Sequence, residues 1–150
     1  MGDVLVFAEH AHGKFPKSTL VAFAAGKDIA AKTGGSCHAV VAGASGLEAL
    51  AAEAAAYGMK TVFQLEHARL EHYVADAYTP ALAELVKAKG IETVIATATA
   101  IGKDLTPRLA ARLGAPLAAD ISGINADGTV TRAMYAGNVF ATIKLEGSPR

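Results

Sequence analysis

The chain has one cysteine, no excess of either charge and no long uncharged apolar run, and each absence removes a class of function. Cys37 can form no internal disulfide and lacks the second cysteine of a C-x-x-C redox pair, so it reads as a buried structural cysteine in a reducing compartment. The 14 Lys+Arg are spread along the chain and matched by 14 Asp+Glu, which removes the clustered basic charge that phosphate-backbone binding needs; no nucleic-acid partner is expected. The most apolar helical stretch, residues 47–57, is interrupted by Glu48 and Glu53, and nothing approaches the roughly 20 uncharged residues of a bilayer crossing, so no membrane insertion is expected. Met1 leads within two residues into an apolar strand, without a basic n-region, cleavage site or Arg/Ser-rich leader, and the expected localisation is cytoplasmic.

What is present fits one domain. The 150 residues leave no room for a second. Hydrophobic residues make up 52% and mean hydropathy is +0.31, but about a fifth of the chain is alanine, which adds little bulk and predicts closely packed helices. Residues 4–8, Val-Leu-Val-Phe-Ala, form a continuous apolar run between Asp3 and a polar loop, the pattern of a strand buried on both faces. A helix over 17–33, with Leu20, Phe23 and Ala24 on one face, stops at Gly34-Gly35. Strands at 37–42, 61–65 and 93–97 alternate with helices at 47–57, up to Gly90, and at 103–113; Pro80 marks either the first turn of the third helix or a kink in it. Strand and helix alternating in this way predict a mostly parallel sheet covered by helices on both faces, with right-handed crossovers. After Leu117 the helices cease. Runs at 118–124, 129–134 and 139–145, separated by turns at Asp127-Gly128 and Gly137-Asn138, predict an antiparallel meander attached to that sheet.

A parallel sheet binds ligands beyond the carboxyl ends of its strands, so the loops there are where chemistry would be found. The loop after the first strand, Glu9-His10-Ala11-His12-Gly13, lacks G-x-G-x-x-G and is no dinucleotide fingerprint. Gly102-Lys103 fails as a P-loop, because Thr97 stands where that motif needs Gly and Asp104 where it needs Ser or Thr. Gly43-Ala44-Ser45-Gly46 can present backbone N–H groups to an anion, although a plain turn accounts for it more simply. His10 and His12 alternate on an extended segment but have no third ligand at a metal spacing, and His67 and His72 lie five apart, off the i, i+4 spacing of a helix face. No G-x-S-x-G elbow is present, and the serines lack a nucleophile's neighbours. Lys103, Asp104 and Arg108 open a helix at the ligand edge, where they suit polar recognition, capping or surface ion pairs. No catalytic residue, no metal site and no enzyme activity of this chain's own are expected.

Three stretches carry a resemblance. Val4-Leu5-Val6-Phe7-Ala8-Glu9-His10, the run from Thr99 to Ala110 containing Gly102-Lys103-Asp104-Leu105-Thr106-Pro107-Arg108, and Arg132-Ala133-Met134-Tyr135-Ala136-Gly137-Asn138 resemble the alpha subunit of electron transfer flavoprotein, with Ala119-Asp120-Ile121 lying between the last two. The order and spacing agree over essentially the whole chain. The resemblance implies a three-layer α/β sandwich like that of the adenine-nucleotide hydrolases, here the N-terminal domain over residues 1–150. It implies a scaffold that docks on a beta subunit, within a carrier taking electrons from acyl-CoA and related dehydrogenases, as in fatty acid oxidation, to a quinone-linked acceptor. The family's FAD lies in the C-terminal half of alpha and its AMP in the beta subunit, so no cofactor-binding residue carries over to this chain, whose sequence ends at Arg150. Arg108, Tyr135 and Asn138 are the positions expected to meet the beta subunit or a neighbouring domain. A strand edge near Leu145 predicts self-association of the fragment. The alternative is a stand-alone nucleotide-binding protein similar to universal stress proteins.

Overall fold

A computed structural model describes residues 2–150. Four parallel strands, β1 (Val4–Phe7), β2 (Cys37–Gly43), β3 (Val62–Glu66) and β4 (Thr93–Ile95), make one sheet in the order β3-β2-β1-β4. Every residue of β1 and β2 is buried, as expected of central strands covered on both sides. The alternation of side chains sends Val4, Val6, Ala39 and Val41 to one face, against α1 (Lys17–Thr33) and α2 (Glu48–Ala56), through Phe23, Ala30, Leu50 and Ala54. Leu5, Phe7, Val40 and Ala42 go to the other, against α3 (Ala75–Lys89) and α4 (Ala100–Leu113), through Leu82, Val86, Leu105 and Leu109. This is the three-layer α/β sandwich predicted from the sequence. No helix among the described residues is long and apolar enough to cross a membrane.

One helix approaches the sheet closely at a glycine. Gly26 lies mid-helix in α1, and a Cβ there would stand 2.6 Å from Val6 Cγ2 and 2.9 Å from Cys37 Sγ, so α1 rests directly on the sheet. Cys37 is buried, with its sulfur 3.5 Å from Met59 Sδ, and burial pushes its thiol up to about 11. The native thiol is expected to stay silent to a thiol-disulfide reagent at pH 8 and to react stoichiometrically once the chain is unfolded in urea. Because the unfolded thiol ionises first, this group lowers stability as pH rises from about 9 towards 11.

Several boundaries differ from expectation. α3 begins at Ala75, so Pro80 lies in its interior rather than its first turn, and its missing N–H leaves the Asp76 carbonyl without a helical donor. β4 stops at Ile95 instead of Thr97, and α4 starts at Ala100 instead of Lys103, because Thr99 caps it by accepting from Gly102 N at 3.1 Å. The meander is a separate sheet, β5 (Ile121–Ile124), β6 (Val130–Met134) and β7 (Val139–Ile143) in the order β5-β6-β7, and is not hydrogen-bonded to the parallel one. The outer edge of β4 is met instead by the Arg150 backbone, whose C=O accepts from Val94 N at 2.7 Å and whose N–H donates to Glu92 O at 2.9 Å. The Asp127-Gly128 turn stands as predicted, with Asp127 Oδ1 accepting from Thr129 Oγ1 at 2.6 Å and Thr129 N at 3.0 Å. The second turn is a short 3-10 turn over Tyr135–Gly137, in which Tyr135 and Ala136 carry φ of 51° and 54°.

Register places Ile121, Ile124, Val130, Arg132, Met134, Val139, Ala141 and Ile143 on one face of the meander. Neither core cluster draws a residue from β5, β6 or β7.

Candidate functional site

The strand order sets the ligand edge. From β1 the chain turns to α1 on one face, and from β4 to α4 on the other, so the loops leaving these adjacent strands diverge and open a crevice at their carboxyl ends. Glu9 stands in it, two residues beyond β1. Its carboxylate Oε2 accepts from Thr97 Oγ1 at 3.0 Å and, in a shorter bond, from Thr99 Oγ1, the hydroxyl that caps α4. The fully buried Thr19 of α1 donates its hydroxyl to the Glu9 carbonyl, and the His10 ring nitrogen Nε2 bonds Ala42 O of β2 at 2.8 Å. Gly102 completes the seat, since a Cβ there would be driven into the Thr97 carbonyl. The positive end of α4, where the fold would favour an anion, therefore holds a carboxylate of the same chain.

The second helix N-terminus on this edge is answered similarly. Leu47 N, opening α2 after the Gly43-Ala44-Ser45-Gly46 loop, donates to Glu66 Oε1 at 3.3 Å. A flavin or adenine-nucleotide phosphate does not fit either position, because it would meet Glu9 or Glu66 in place of a free N–H cradle.

The remaining sequence candidates fall in separate places. Arg108 Nε donates to Asp104 Oδ1 at 3.2 Å, and the Tyr73 hydroxyl donates to Asp104 Oδ2 at 2.8 Å. The Tyr73 hydrogen bond, and then Arg108, hold the Asp104 carboxyl below the usual carboxylate range; burial and the Asp104 bond push Tyr73 up. Arg108 and Arg112 face Ala75, Asp76, Thr79 and Pro80 across an open cavity of about 400 Å³ between α3 and α4. Lys103 reaches Asp120 at 3.3 Å. Tyr135, 76% exposed, and Asn138, whose N–H donates to Tyr135 O at 3.1 Å, belong to the β6–β7 turn. No hydrogen bond or ion pair among the described residues joins that turn to Arg108. His67 Nδ1 accepts from Arg69 N at 3.1 Å and caps a 3-10 turn, while His12 is exposed at a φ of 52°. No group of three or more His, Cys, Asp or Glu is placed to hold a metal among the described residues.

Glu9 is the residue that motif searching missed, having entered as part of a loop that lacks G-x-G-x-x-G and as part of the first resembling stretch. Its signal was available: a carboxylate at the end of the first strand, and a Thr-x-Thr pair at 97 and 99 ahead of a helix.

These features define a three-layer α/β sandwich in which carboxylates of the chain, Glu9 and Glu66, stand at the α4 and α2 termini of the ligand edge. A family model described as the electron transfer flavoprotein domain matches residues 4–149, and the chain belongs to that family. It is 33% identical over 146 residues to the electron transfer flavoprotein subunit alpha of Thermoanaerobacterium thermosaccharolyticum, covering 95% of this chain and 44% of that one. Protein FixB of Clostridium saccharobutylicum is 36% identical over 145 residues, covering 93% and 43%. The acryloyl-CoA reductase electron transfer subunit beta of Anaerotignum propionicum is 33% identical over 125 residues, covering 83% and 34%. The chain thus spans less than half the length of these relatives. A universal stress protein solved in complex with cAMP aligns with 74% of this chain at 18% identity and a TM-score of 0.45.

Proposed function

We propose that residues 1–150 are the N-terminal scaffold and docking domain of an electron transfer flavoprotein alpha subunit, acting in the cytoplasm. The domain holds a beta subunit and supports an FAD carried outside these residues. The assembled carrier takes electrons from acyl-CoA or related dehydrogenases and delivers them to a quinone-linked acceptor. The flavin supplies the redox chemistry, and this chain's residues contribute shape and contacts. The observation that carries the proposal is the Glu9 carboxylate at the α4 terminus, in a chain that matches the family from residue 4 to 149: the crevice that would serve a nucleotide-binding enzyme is spent on internal bonding. Arg108, Tyr135 and Asn138 are assigned to contacts with the beta subunit or the neighbouring domain.

Co-expression with an electron transfer flavoprotein beta subunit of the same genome, followed by size-exclusion chromatography at micromolar concentration, tests the assignment. Co-migration as a one-to-one complex is expected, and separate elution of two folded chains refutes docking.

A further inference from the structure

The groove between α3 and α4 takes no part in the Glu9 crevice. Its cavity of about 400 Å³ is of the size that takes a small molecule, and it is walled by Ala75, Asp76, Thr79 and Pro80 of α3 and by Arg108 and Arg112 of α4. The two arginines stand four apart on one helix, so their guanidiniums reach the same stretch of groove. Arg108 is held from behind: the Tyr73 hydroxyl donates to Asp104 Oδ2 at 2.8 Å, and Asp104 Oδ1 accepts from Arg108 Nε at 3.2 Å. Only Nε is taken. Neither Nη of Arg108 nor any side-chain nitrogen of Arg112 has a hydrogen-bond or ion-pair partner among the described residues. On the facing wall Thr79 is 8% exposed, and its hydroxyl has no partner either. Pro80, one residue on, supplies no N–H and leaves the Asp76 carbonyl open. A buried hydroxyl without a partner destabilises the chain, and a ligand group bonded to it would remove that cost.

The chemistry of the walls sets the ligand. Guanidinium forks bind oxyanions through paired hydrogen bonds. A carboxylate has two oxygens and is used up by one fork, whereas a phosphate ester has three terminal oxygens and can bridge two. The α3 wall is not cationic: it offers the Asp76 carboxylate, while Asp104 stands behind Arg108, so inorganic phosphate alone would meet a carboxylate across the groove. A hydroxyl on the ligand removes that conflict, since it donates to the Asp76 carboxylate or to the open Asp76 carbonyl. We propose that the α3–α4 groove binds a small phosphate ester bearing hydroxyl groups, its phosphate on Arg108 and Arg112 and its hydroxyl end on Asp76 and Thr79. This goes beyond the scaffold reading and does not rest on it. Arg108, given there to a protein contact, has a ligand of its own here, and the experiment tells the two apart.

Calorimetric titration of the whole chain with glycerol phosphate, and separately with inorganic phosphate, tests this. A dissociation constant of about 1 mM or tighter is expected for the ester, with inorganic phosphate weaker by about threefold or more. Arg108→Gln and Arg112→Gln should each weaken the ester by about tenfold or more, because each removes a charged fork from the phosphate. Both side chains are exposed, so neither change should unfold the chain, and thermal melts establish this. Lys17→Gln, on α1 across the sheet, is the control and should leave binding unchanged. Thr79→Val has a signature that a purely structural residue lacks. With the orphan hydroxyl gone the empty chain should melt higher, yet it should bind the ester several-fold more weakly. Absence of ester binding up to about 10 mM, or binding that the two arginine variants alter no more than Lys17→Gln does, overturns the proposal. Equal affinity for inorganic phosphate and the ester overturns the assignment to a hydroxylated ligand. If the ester does not bind while both arginine variants abolish co-migration with the beta subunit, the groove belongs to a protein partner and the proposal falls.

Discussion

Gly102→Ala is expected to destabilise the domain by about 2–4 kcal/mol, although the substitution replaces a poor helix former with the best one. Alanine inside a helix gains about 1 kcal/mol over glycine. Here that gain is outweighed, because the added Cβ points into the Thr97 carbonyl, a backbone group that cannot rotate away. Overpacking against movable side chains costs about 1–3 kcal/mol, and against backbone it costs more, since β4 or α4 must shift bodily. A shift of α4 also withdraws Thr99 from Gly102 N and from Glu9, undoing the cap and the seat of the carboxylate together. In a domain of this length the loss corresponds to a fall in Tm of roughly 5–15 °C by calorimetry. An unchanged Tm would show that β4 and α4 are not held at this spacing.

Glu9→Ala should cost about 2–4 kcal/mol in urea denaturation, and Glu9→Gln about 1 kcal/mol less. Hydrogen bonds to a charged group contribute about 1.5–3 kcal/mol each, and alanine leaves the hydroxyls of Thr97 and Thr99 without their acceptor. Glutamine keeps a carbonyl oxygen there and forfeits the charge at the helix terminus, worth roughly 0.3–1 kcal/mol near a surface. The same carboxylate predicts that the wild-type chain binds neither ATP nor AMP tighter than about 10 μM, near 7 kcal/mol, in a calorimetric titration. Tighter binding would mean that Glu9 yields the crevice, and the scaffold reading would lose its main support.

The helices and central strands were legible because burial on both faces leaves a continuous apolar record, as in Val4–Phe7, and because Gly34 and Gly90 end their helices in the left-handed region. The short β4 was not. Val94, Ile95 and Ala96 read as one apolar run, whereas the departure of the chain after Ile95 is set by how closely Gly102 approaches Thr97, a tertiary contact with no local signature. The meander's strands were readable from their turns, but its separation from the parallel sheet was not. Alternation within a strand says which residues share a face and nothing about which edge the strand joins, and the β4 edge is met by Arg150 instead. At the candidate site the motif tests found no match. They looked for glycines and missed Glu9, because a carboxylate filling a helix terminus from 90 positions away in sequence leaves no spacing to search for.

The placement of the tyrosines has an optical consequence. With no tryptophan in the chain, ultraviolet absorption and emission come mainly from four tyrosines. Tyr57 stacks near Phe23, and Tyr73 and Tyr78 meet edge to face with centroids 5.1 Å apart, so three of the four chromophores lie on the sandwich. Tyr135 stands alone on the meander. Subtracting the spectrum of a Tyr135→Phe chain from that of wild type isolates a one-residue signal from the meander, an intrinsic probe that needs no label.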